Sequence, residues 1–192
     1  SFVMQVASVQ SRPEGVLMPA TTGDAGATGV DAGLFRAGMA RMSGACTIIT
    51  AGHQGERAGL TATAVCSVSA EPPRILVCVN RNVWAYQVIV ASQRLGVNVL
   101  DVQHEGLARR FAGMVQGVAG TDRFLEGGWV SSEHGVPLLR DALVSFEGRV
   151  IEETVSGTHS IFLCEVIDVA TSDSDASALV YFNRQFIPIA AD

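Results

Sequence analysis

The sequence predicts a mainly β protein, an antiparallel barrel with a few peripheral helices. Apolar, β-branched runs recur along most of the chain, and turns rich in Gly, Pro or Asn separate them. Consecutive runs mostly lack the helical crossover that two parallel strands would need, so antiparallel pairing is expected. With 192 residues, of which 48% are hydrophobic, the chain is long enough to bury one sizeable core.

The first thirty residues are expected to stand apart from this core. They are rich in Gly, Ala, Thr and Pro and show no periodicity, so we expect a flexible tail over 1–30 and a folded domain over 31–192. Asp31 is the predicted cap of a short helix over about 32–42. Large apolar residues recur there at helical spacing, namely Phe35, Met39 and Met42.

Strands are predicted from the pattern that follows this helix. Cys46–Thr50 is a short apolar run, and Gly52 and Gly55 suit a hairpin turn after it. Leu60–Val68 alternates in period two, so we expect one continuous strand there. One face of that strand would carry a row of hydroxyls, those of Thr61, Thr63, Ser67 and Ser69.

The remaining chain continues as strands with two short helices between them. Pro72 and Pro73 end the long strand, because proline cannot donate to a β-ladder. Asn82 is the predicted cap of a helix over about 83–91, and Asp101 caps a second one. Further strands are expected at about 74–80, 95–100, 141–151, 160–170 and 178–182.

The composition excludes several functional classes. A net charge of −6 argues against nucleic acid, which rewards a basic surface. All 13 basic residues are arginines, and a chain without lysine can form neither a pyridoxal-phosphate Schiff base nor a P-loop. Any phosphate would therefore be held by arginine, hydroxyl or backbone N–H groups. No apolar run is long enough for a membrane span.

The four cysteines are expected to be buried free thiols. They are widely dispersed in apolar segments and form no Cys-x-x-Cys pair, at Cys46, Cys66, Cys78 and Cys164. No metal site is therefore predicted. This usage fits a reducing cytoplasm.

The most informative segment is Gly59–Pro73, which reads Gly-Leu-Thr-Ala-Thr-Ala-Val-Cys-Ser-Val-Ser-Ala-Glu-Pro-Pro. Its small residues would let a planar ligand or a phosphate approach the backbone, although a solvated Thr/Ser face is the commoner structure. The pattern resembles the signature of the flavin reductase family, the small reductase components of two-component flavin-dependent monooxygenases. Further segments agree in the family's order, from Leu34 to Ile189: Ile75–Arg81, Gly96–Leu100, Leu107–Gly113, Gly135–Arg149 and Gly157–Val166.

The resemblance implies a split β-barrel with Greek-key connections, assembled as a homodimer with flavin sites near the interface. The residues that would hold the flavin ring and its ribityl phosphate lie on one strand, namely Thr61, Ala62, Thr63, Ala64, Val65 and Ser67. The turn after the next strand would complete the phosphate site, with Asn80, Arg81 and Asn82. Phe111 and Gly113 would border the ring or the adenine, with core packing an equal alternative for Phe111.

The resemblance also assigns roles to three residues near the carboxyl end. His159 matches a histidine on the exposed side of the flavin, where nicotinamide would stack, and a structural histidine is the alternative. Thr158 stands where the family has an aspartate, so the carboxylate that could orient the imidazole is missing. Tyr181 and Arg184 match the family's closing Tyr-x-x-Arg-x-Tyr pattern. Arg184 would contact a cofactor phosphate or, equally, form a surface ion pair.

The predicted function is reduction of free FAD or FMN by NADH or NADPH, with hydride passing from nicotinamide C4 to flavin N5. Both reactive groups belong to cofactors, so no acid–base residue is compulsory. The reduced flavin would supply a separate monooxygenase. Two alternatives stay open: a split-barrel protein that binds flavin or haem without turnover, and an oxidase of the pyridoxamine-phosphate oxidase type.

Overall fold

A computed structural model describes residues 29–172 and 177–190, and strands dominate within them. The helices in these ranges are α1 (Ala32–Met39), α2 (Trp84–Ser92) and α3 (Glu105–Phe111), with 3₁₀ turns at Val102–His104 and Gly120–Leu125. The strands are β1 (Gly44–Ala45), β2 (Thr47–His53), β3 (Glu56–Ala62), β4 (Val65–Ala70), β5 (Pro73–Asn80), β6 (Arg94–Val99), β7 (Trp129–Ser131), β8 (Pro137–Leu139), β9 (Val144–Ser156), β10 (His159–Thr171), β11 (Ala178–Phe182) and β12 (Gln185–Ile189). The predicted mainly β class is confirmed. All but the last two residues of the predicted tail lie outside the described residues.

Seven strands form one antiparallel sheet in the order β3-β2-β6-β9-β10-β5-β4. β3 and β4 follow each other in the chain and yet occupy opposite edges of this sheet. Only two residues separate Ala62 from Val65, so these ends are at most about 11 Å apart. The sheet must therefore curl until its two edges are neighbours. Within the described ranges no ladder joins β3 to β4, so the sheet is open along this seam.

The strand β2 and most of β3 are buried on both faces. One core cluster packs the sheet against α2, through residues such as Ile49, Val77, Ile89, Leu95 and Phe162. A second cluster packs the opposite side of β2 and β3 against α3 and β11, through Ile48, Leu100, Phe111, Phe124 and Leu179. Burial on both faces explains why β2 is a continuous apolar run and does not alternate in period two.

The predicted continuous strand over 60–68 is wrong. The chain leaves β3 after Ala62, turns through a bond from the Val65 N–H to the Thr63 carbonyl (2.9 Å), and enters β4 at the other edge. The predicted shared row of hydroxyls is wrong for the same reason, because Thr61 and Ser67 belong to different edges of the sheet. Period two cannot reveal such a crossing when the alternation continues on both sides of it.

The predicted helix caps are partly confirmed. The Asp31 carboxylate accepts the Leu34 N–H (2.9 Å), so α1 begins as expected, although it ends at Met39. Asp101 accepts the Gln103 N–H (2.9 Å) and caps the 3₁₀ turn before α3. Asn82 is not the cap of α2, which begins after Val83 without a side-chain cap.

The four cysteines are free, as predicted, but they are not all buried. Cys46 and Cys164 are fully buried, and burial raises the pKa of each thiol to about 12. Cys78 is half-buried, and Cys66 is exposed on the edge strand β4. The prediction of burial is therefore wrong for Cys66, because most side chains of β4 are left exposed on both faces of the strand.

Candidate functional site

The junction between β3 and β4 is built from small side chains. Ala62 is buried, while Thr63, Ala64 and Val65 are half-buried. The Ala64 carbonyl accepts the Cys78 N–H (3.0 Å), so hydrogen bonds of the backbone hold this segment in place. Short side chains on a fixed backbone allow close approach of a planar ring or a phosphate. Ser67 follows two residues into β4, where its side chain is exposed.

The turn after β5 places a cation beside this junction. The Asn80 Oδ1 atom accepts the Asn82 N–H (2.9 Å), and the Arg81 N–H donates to the Thr158 carbonyl (2.9 Å). The Arg81 side chain is exposed, and its guanidinium carbon lies 5.8 Å from the centroid of the Tyr86 ring. Stacking on an aromatic ring orients a guanidinium while leaving its N–H groups available for an anion.

His159 faces the same turn from the neighbouring strand. It is the register partner of Asn80 in the β10–β5 ladder, so the three strands β4, β5 and β10 bring together the junction, the Arg81 turn and the imidazole. The Thr158 Oγ1 atom lies 2.8 Å from His159 Nδ1. A hydroxyl thus orients the ring where the family has a carboxylate. Burial lowers the pKa of His159, and the neutral imidazole is the form present at pH 7.

We expect His159 to titrate at a lower pH in the folded protein than in the unfolded chain. Because the folded pKa is lowered, the unfolded chain binds this proton first as the pH falls. The contribution of His159 therefore destabilises the fold progressively below about pH 6.5 and vanishes above it. NMR titration of the ring protons should show a midpoint below that of the same residue in urea. Equal or reversed midpoints would contradict this.

A hydrogen-bond network behind His159 and Arg81 was not predicted from the sequence. The Glu153 Oε1 atom accepts the Ser160 hydroxyl (2.6 Å) and the Tyr86 hydroxyl (3.0 Å). Ser160 is the neighbour of His159, and Tyr86 carries the Arg81 stack. The network thus couples the strand of the histidine to the helix beside the arginine. The only sequence signal was Ser160 next to His159, because the other partners come from separate elements.

Several predicted site residues make their contacts within the protein or accommodate a turn. The Thr61 hydroxyl donates to the Ala108 carbonyl (2.6 Å) on α3, and only 4% of the residue is exposed. Phe111 is fully buried in the second core cluster, as the alternative of core packing expects. Gly113 follows the end of α3 with a positive φ of 74°, is exposed and accommodates the turn there.

The closing pattern is divided between the core and a turn. Tyr181 is buried, its ring centroid lies 5.2 Å from that of Phe186, and burial raises the pKa of its hydroxyl. Arg184 lies in the two-residue turn between β11 and β12, where Asn183 and Arg184 both have positive φ. β11 reaches the junction indirectly. Gly44 pairs with Tyr181, and a Cβ at Gly44 would lie 3.0 Å from the Thr63 Cβ.

Comparison with known proteins identifies the family. The model of the flavin reductase like domain matches residues 39–190, which include every element from β1 to β12. The chain belongs to the flavin reductase family. The predicted resemblance, from Leu34 to Ile189, is thereby confirmed to within a few residues at the amino end.

The relatives of this flavin reductase family member carry consistent names. An FMN reductase (NADH) RutF of Agrobacterium fabrum is 44% identical over 152 residues, which cover 79% of this chain and 85% of the relative. A 4-hydroxyphenylacetate 3-monooxygenase reductase component of Pseudomonas aeruginosa is 43% identical, with 79% and 88% covered. A solved structure of the Streptomyces globisporus NADH:FAD oxidoreductase SgcE6, in complex with NAD and FAD fragments, has a TM-score of 0.75 at 30% identity, with 84% of this chain and 94% of that chain covered.

Two observations on the described residues bear on other kinds of site. Across 29–172 and 177–190, no group of three or more His, Cys, Asp or Glu side chains is arranged to hold a metal ion. No helix in those ranges is long and apolar enough to cross a membrane.

Proposed function

We propose that this chain is a flavin reductase that transfers hydride from NADH or NADPH to free FAD or FMN. The observation that carries the proposal is the convergence of the small-residue junction, the stacked Arg81 and His159 on adjacent strands, in a chain of this family. The names of its relatives support the nicotinamide and the flavin as substrates.

The residues present fit a flavin. Its ring needs a flat approach to the backbone, which the short side chains of the buried Ala62 and the half-buried Thr63 and Ala64 would permit. Its phosphate needs a cation and hydrogen-bond donors, and no lysine exists in the chain. Arg81, with the Ser67 hydroxyl and the side chains of Asn80 and Asn82, provides them. Tyr181 and Arg184 would act only from the neighbouring β11–β12 hairpin, with Arg184 directed at a cofactor phosphate.

In this proposal the protein binds and orients the flavin and the nicotinamide, and it excludes water from the space between them. A bound flavin supplies the acceptor for the hydride, and the nicotinamide supplies the donor. The chain holds the two reactants close together in the orientation that the transfer needs. Such positioning alone can supply a large share of the lowering of the activation barrier. His159, neutral and oriented by Thr158, would contact the nicotinamide through Nε2. Thr61 and Phe111 would support the β3–α3 packing behind the site, and Gly113 would allow the turn that follows α3.

The test is a spectrophotometric assay. Protein, flavin and reduced nicotinamide are mixed, and loss of the nicotinamide absorbance band is followed for the four pairs of FAD or FMN with NADH or NADPH. We expect turnover with at least one pair. Flavin binding without loss of that band would favour the alternative of a non-catalytic binding protein. Oxidation of pyridoxamine phosphate in place of nicotinamide would favour the oxidase alternative.

We expect the flavin to leave the protein after reduction. The proposed site consists of hydroxyls, backbone groups and one or two arginines. Such a site suits a dissociation constant near micromolar, which corresponds to a binding free energy of about −8 kcal/mol. In an anaerobic cell divided by a dialysis membrane, with protein and NADH on one side, reduced flavin should reach a flavin-dependent monooxygenase on the other. A stoichiometric chromophore that survives gel filtration, with none transferred, would instead indicate electron transfer by direct contact.

We also propose a homodimeric split barrel that works in the cytoplasm. The curled open sheet supports the barrel, and four free thiols support a reducing compartment. The long hairpin β9–β10 exposes apolar side chains, those of Ile151, Val155, Ile167 and Val169. A stable dimer would cover such a surface over about 2,000 Å² or more. Light scattering should give twice the chain mass at micromolar concentration, and a persistent monomer would contradict the dimer.

A further inference from the structure

Helix α1 carries large apolar side chains that the described part of the chain leaves exposed. None of its residues is buried, and the exposed fractions of Leu34, Met39 and the following Met42 are 59%, 39% and 65%. A helix of eight residues is not stable in water by itself, because its few hydrogen bonds do not offset the cost of nucleation. The apolar side of α1 therefore needs a surface to pack against.

The end of α1 is fixed beside the β3–β4 junction. The carbonyl of its cap residue Ala40 accepts the Asn183 N–H (2.8 Å), which belongs to the turn that carries Arg184. A few residues further on, a Cβ at Gly44 would lie 3.0 Å from the Thr63 Cβ. Whatever packs on α1 is therefore brought close to the candidate site.

A second apolar surface lies on the β5–β10 pair. One side of these strands packs in the first core cluster with α2, through residues such as Val77 and Phe162. The residues that alternate with them point to the opposite side, are half-buried and belong to neither core cluster. Cross-strand register joins them into one patch, called here the outer face, which consists of Leu76, Leu163, Cys78 and Ile161.

The charges around the two surfaces are complementary. Over 29–43 the chain carries Arg36 and Arg41 against one carboxylate, which gives a net charge of +1. Strands β5, β9 and β10 carry five carboxylates against two arginines, and their net charge stays negative when the buried Glu147 is left out. Glu152 is exposed and lies directly opposite a residue of the outer face, so it borders that patch.

We infer that α1 of one chain packs on the outer face of a second copy, which places its own α1 on the first chain in the same way. Such a reciprocal contact closes around a two-fold axis. The sheet then has a helix on each side, with α2 on one side and the partner's α1 on the other. The inference rests on the proposed homodimer and specifies the surfaces that form it.

The same contact adds a wall to the candidate site. His159 and Asn80 point to the same side of the sheet as the outer face, because each lies two residues from a member of it. Two residues of a strand correspond to about 7 Å, so the imidazole lies next to the patch. The partner's α1 is therefore a boundary of the space in which the nicotinamide is proposed to bind.

The first test changes the apolar side of α1. Leu34→Glu combined with Met39→Glu should raise the dissociation constant of the dimer by at least about a hundred-fold, measured by light scattering. The variant should fold, because no residue of α1 is buried, and circular dichroism checks this. Leu125→Glu is the matched control, since Leu125 is 77% exposed but outside both surfaces, and it should stay dimeric.

A dimeric double variant would overturn the inference. An unchanged protein that is monomeric at micromolar concentration would do so too, because something other than a second copy would then cover α1.

A charge exchange tests which surface α1 contacts. Arg36→Glu with Arg41→Glu, and separately Glu152→Arg, place like charges at both contacts of a dimer. Each variant should therefore dimerise roughly ten-fold more weakly or worse. In an equimolar mixture, opposite charges meet at both contacts of the heterodimer, so dimers should reappear.

A mixture that stays monomeric, or a Glu152→Arg protein that dimerises normally, would overturn the assignment to the outer face. Activity is measured separately. Dimers that respond to the charge exchange as expected but do not oxidise reduced nicotinamide would support this contact and contradict the proposed reductase activity.

Discussion

Replacing Phe111 by alanine is expected to lower the free energy of unfolding by about 3–5 kcal/mol. Phe111 is 1% exposed, and its ring centroid lies 4.9 Å from that of Phe124 and 5.2 Å from that of Trp129. The backbone of β3 also depends on this ring, because a Cβ at Gly59 would lie 2.8 Å from its edge. Truncation would leave a cavity between α3 and β3 that these rigid neighbours cannot fill.

Urea denaturation measures this loss, with Leu125→Ala as the matched control. Leu125 is 77% exposed in the neighbouring 3₁₀ turn, so its truncation should change stability by no more than about 0.5 kcal/mol. The folded fraction of Phe111→Ala should still bind flavin with nearly unchanged affinity. Lost flavin binding with unchanged stability would instead return Phe111 to the ligand site.

Replacing His159 by alanine is expected to lower kcat/KM for reduced nicotinamide by roughly ten- to a hundred-fold, the loss of one oriented contact of about 1–3 kcal/mol. The imidazole is held by Thr158, in the turn before β10, and His159 is the register partner of Asn80. This prediction rests on the proposed position of the nicotinamide against the exposed side of the flavin. The dissociation constant for flavin should change little, because the small-residue junction and Arg81 remain.

Two further variants separate positioning from a structural role. Thr158→Val removes the hydroxyl beside Nδ1 and should produce a smaller loss in kcat/KM, because the ring stays but is less well oriented. His53→Ala, at the distant hairpin tip, should leave the kinetics unchanged. Unaltered kinetics in a correctly folded His159→Ala protein would make His159 a structural residue of the strand.

The position of His159 illustrates how a local motif and a tertiary arrangement combine. The Gly-Thr-His-Ser motif identified the histidine, and the Ile75–Arg81 motif identified the turn after β5. That the two face each other is a consequence of the β10–β5 register, since His159 is paired with Asn80. Pairing between strands some eighty residues apart depends on the whole sheet, so no window of sequence contains it.

Thr61 and Phe111 show what a motif leaves open. Both lie inside segments typical of the family; Thr61 was predicted to hold the flavin, and Phe111 either to border it or to pack in the core. In the structure the Thr61 hydroxyl satisfies a carbonyl of α3, and Phe111 fills the core beside it. A family motif indicates that a residue type is required at a position. It does not indicate whether the side chain contacts a ligand or packs against the protein itself. Burial decides that question, and burial belongs to the packed chain.

The sequence by itself determined the mainly β class, the family, the absence of lysine chemistry and the chain segments that form the candidate site. These properties depend on residue types and on short spacings along the chain, so a local stretch of sequence is enough to reveal them. Only the tertiary structure decided that the apparent strand over 60–68 crosses from one sheet edge to the other, and that His134, Glu147 and Arg94 meet in space. Such contacts join distant segments, and they form because the curled sheet buries apolar surface on both of its faces.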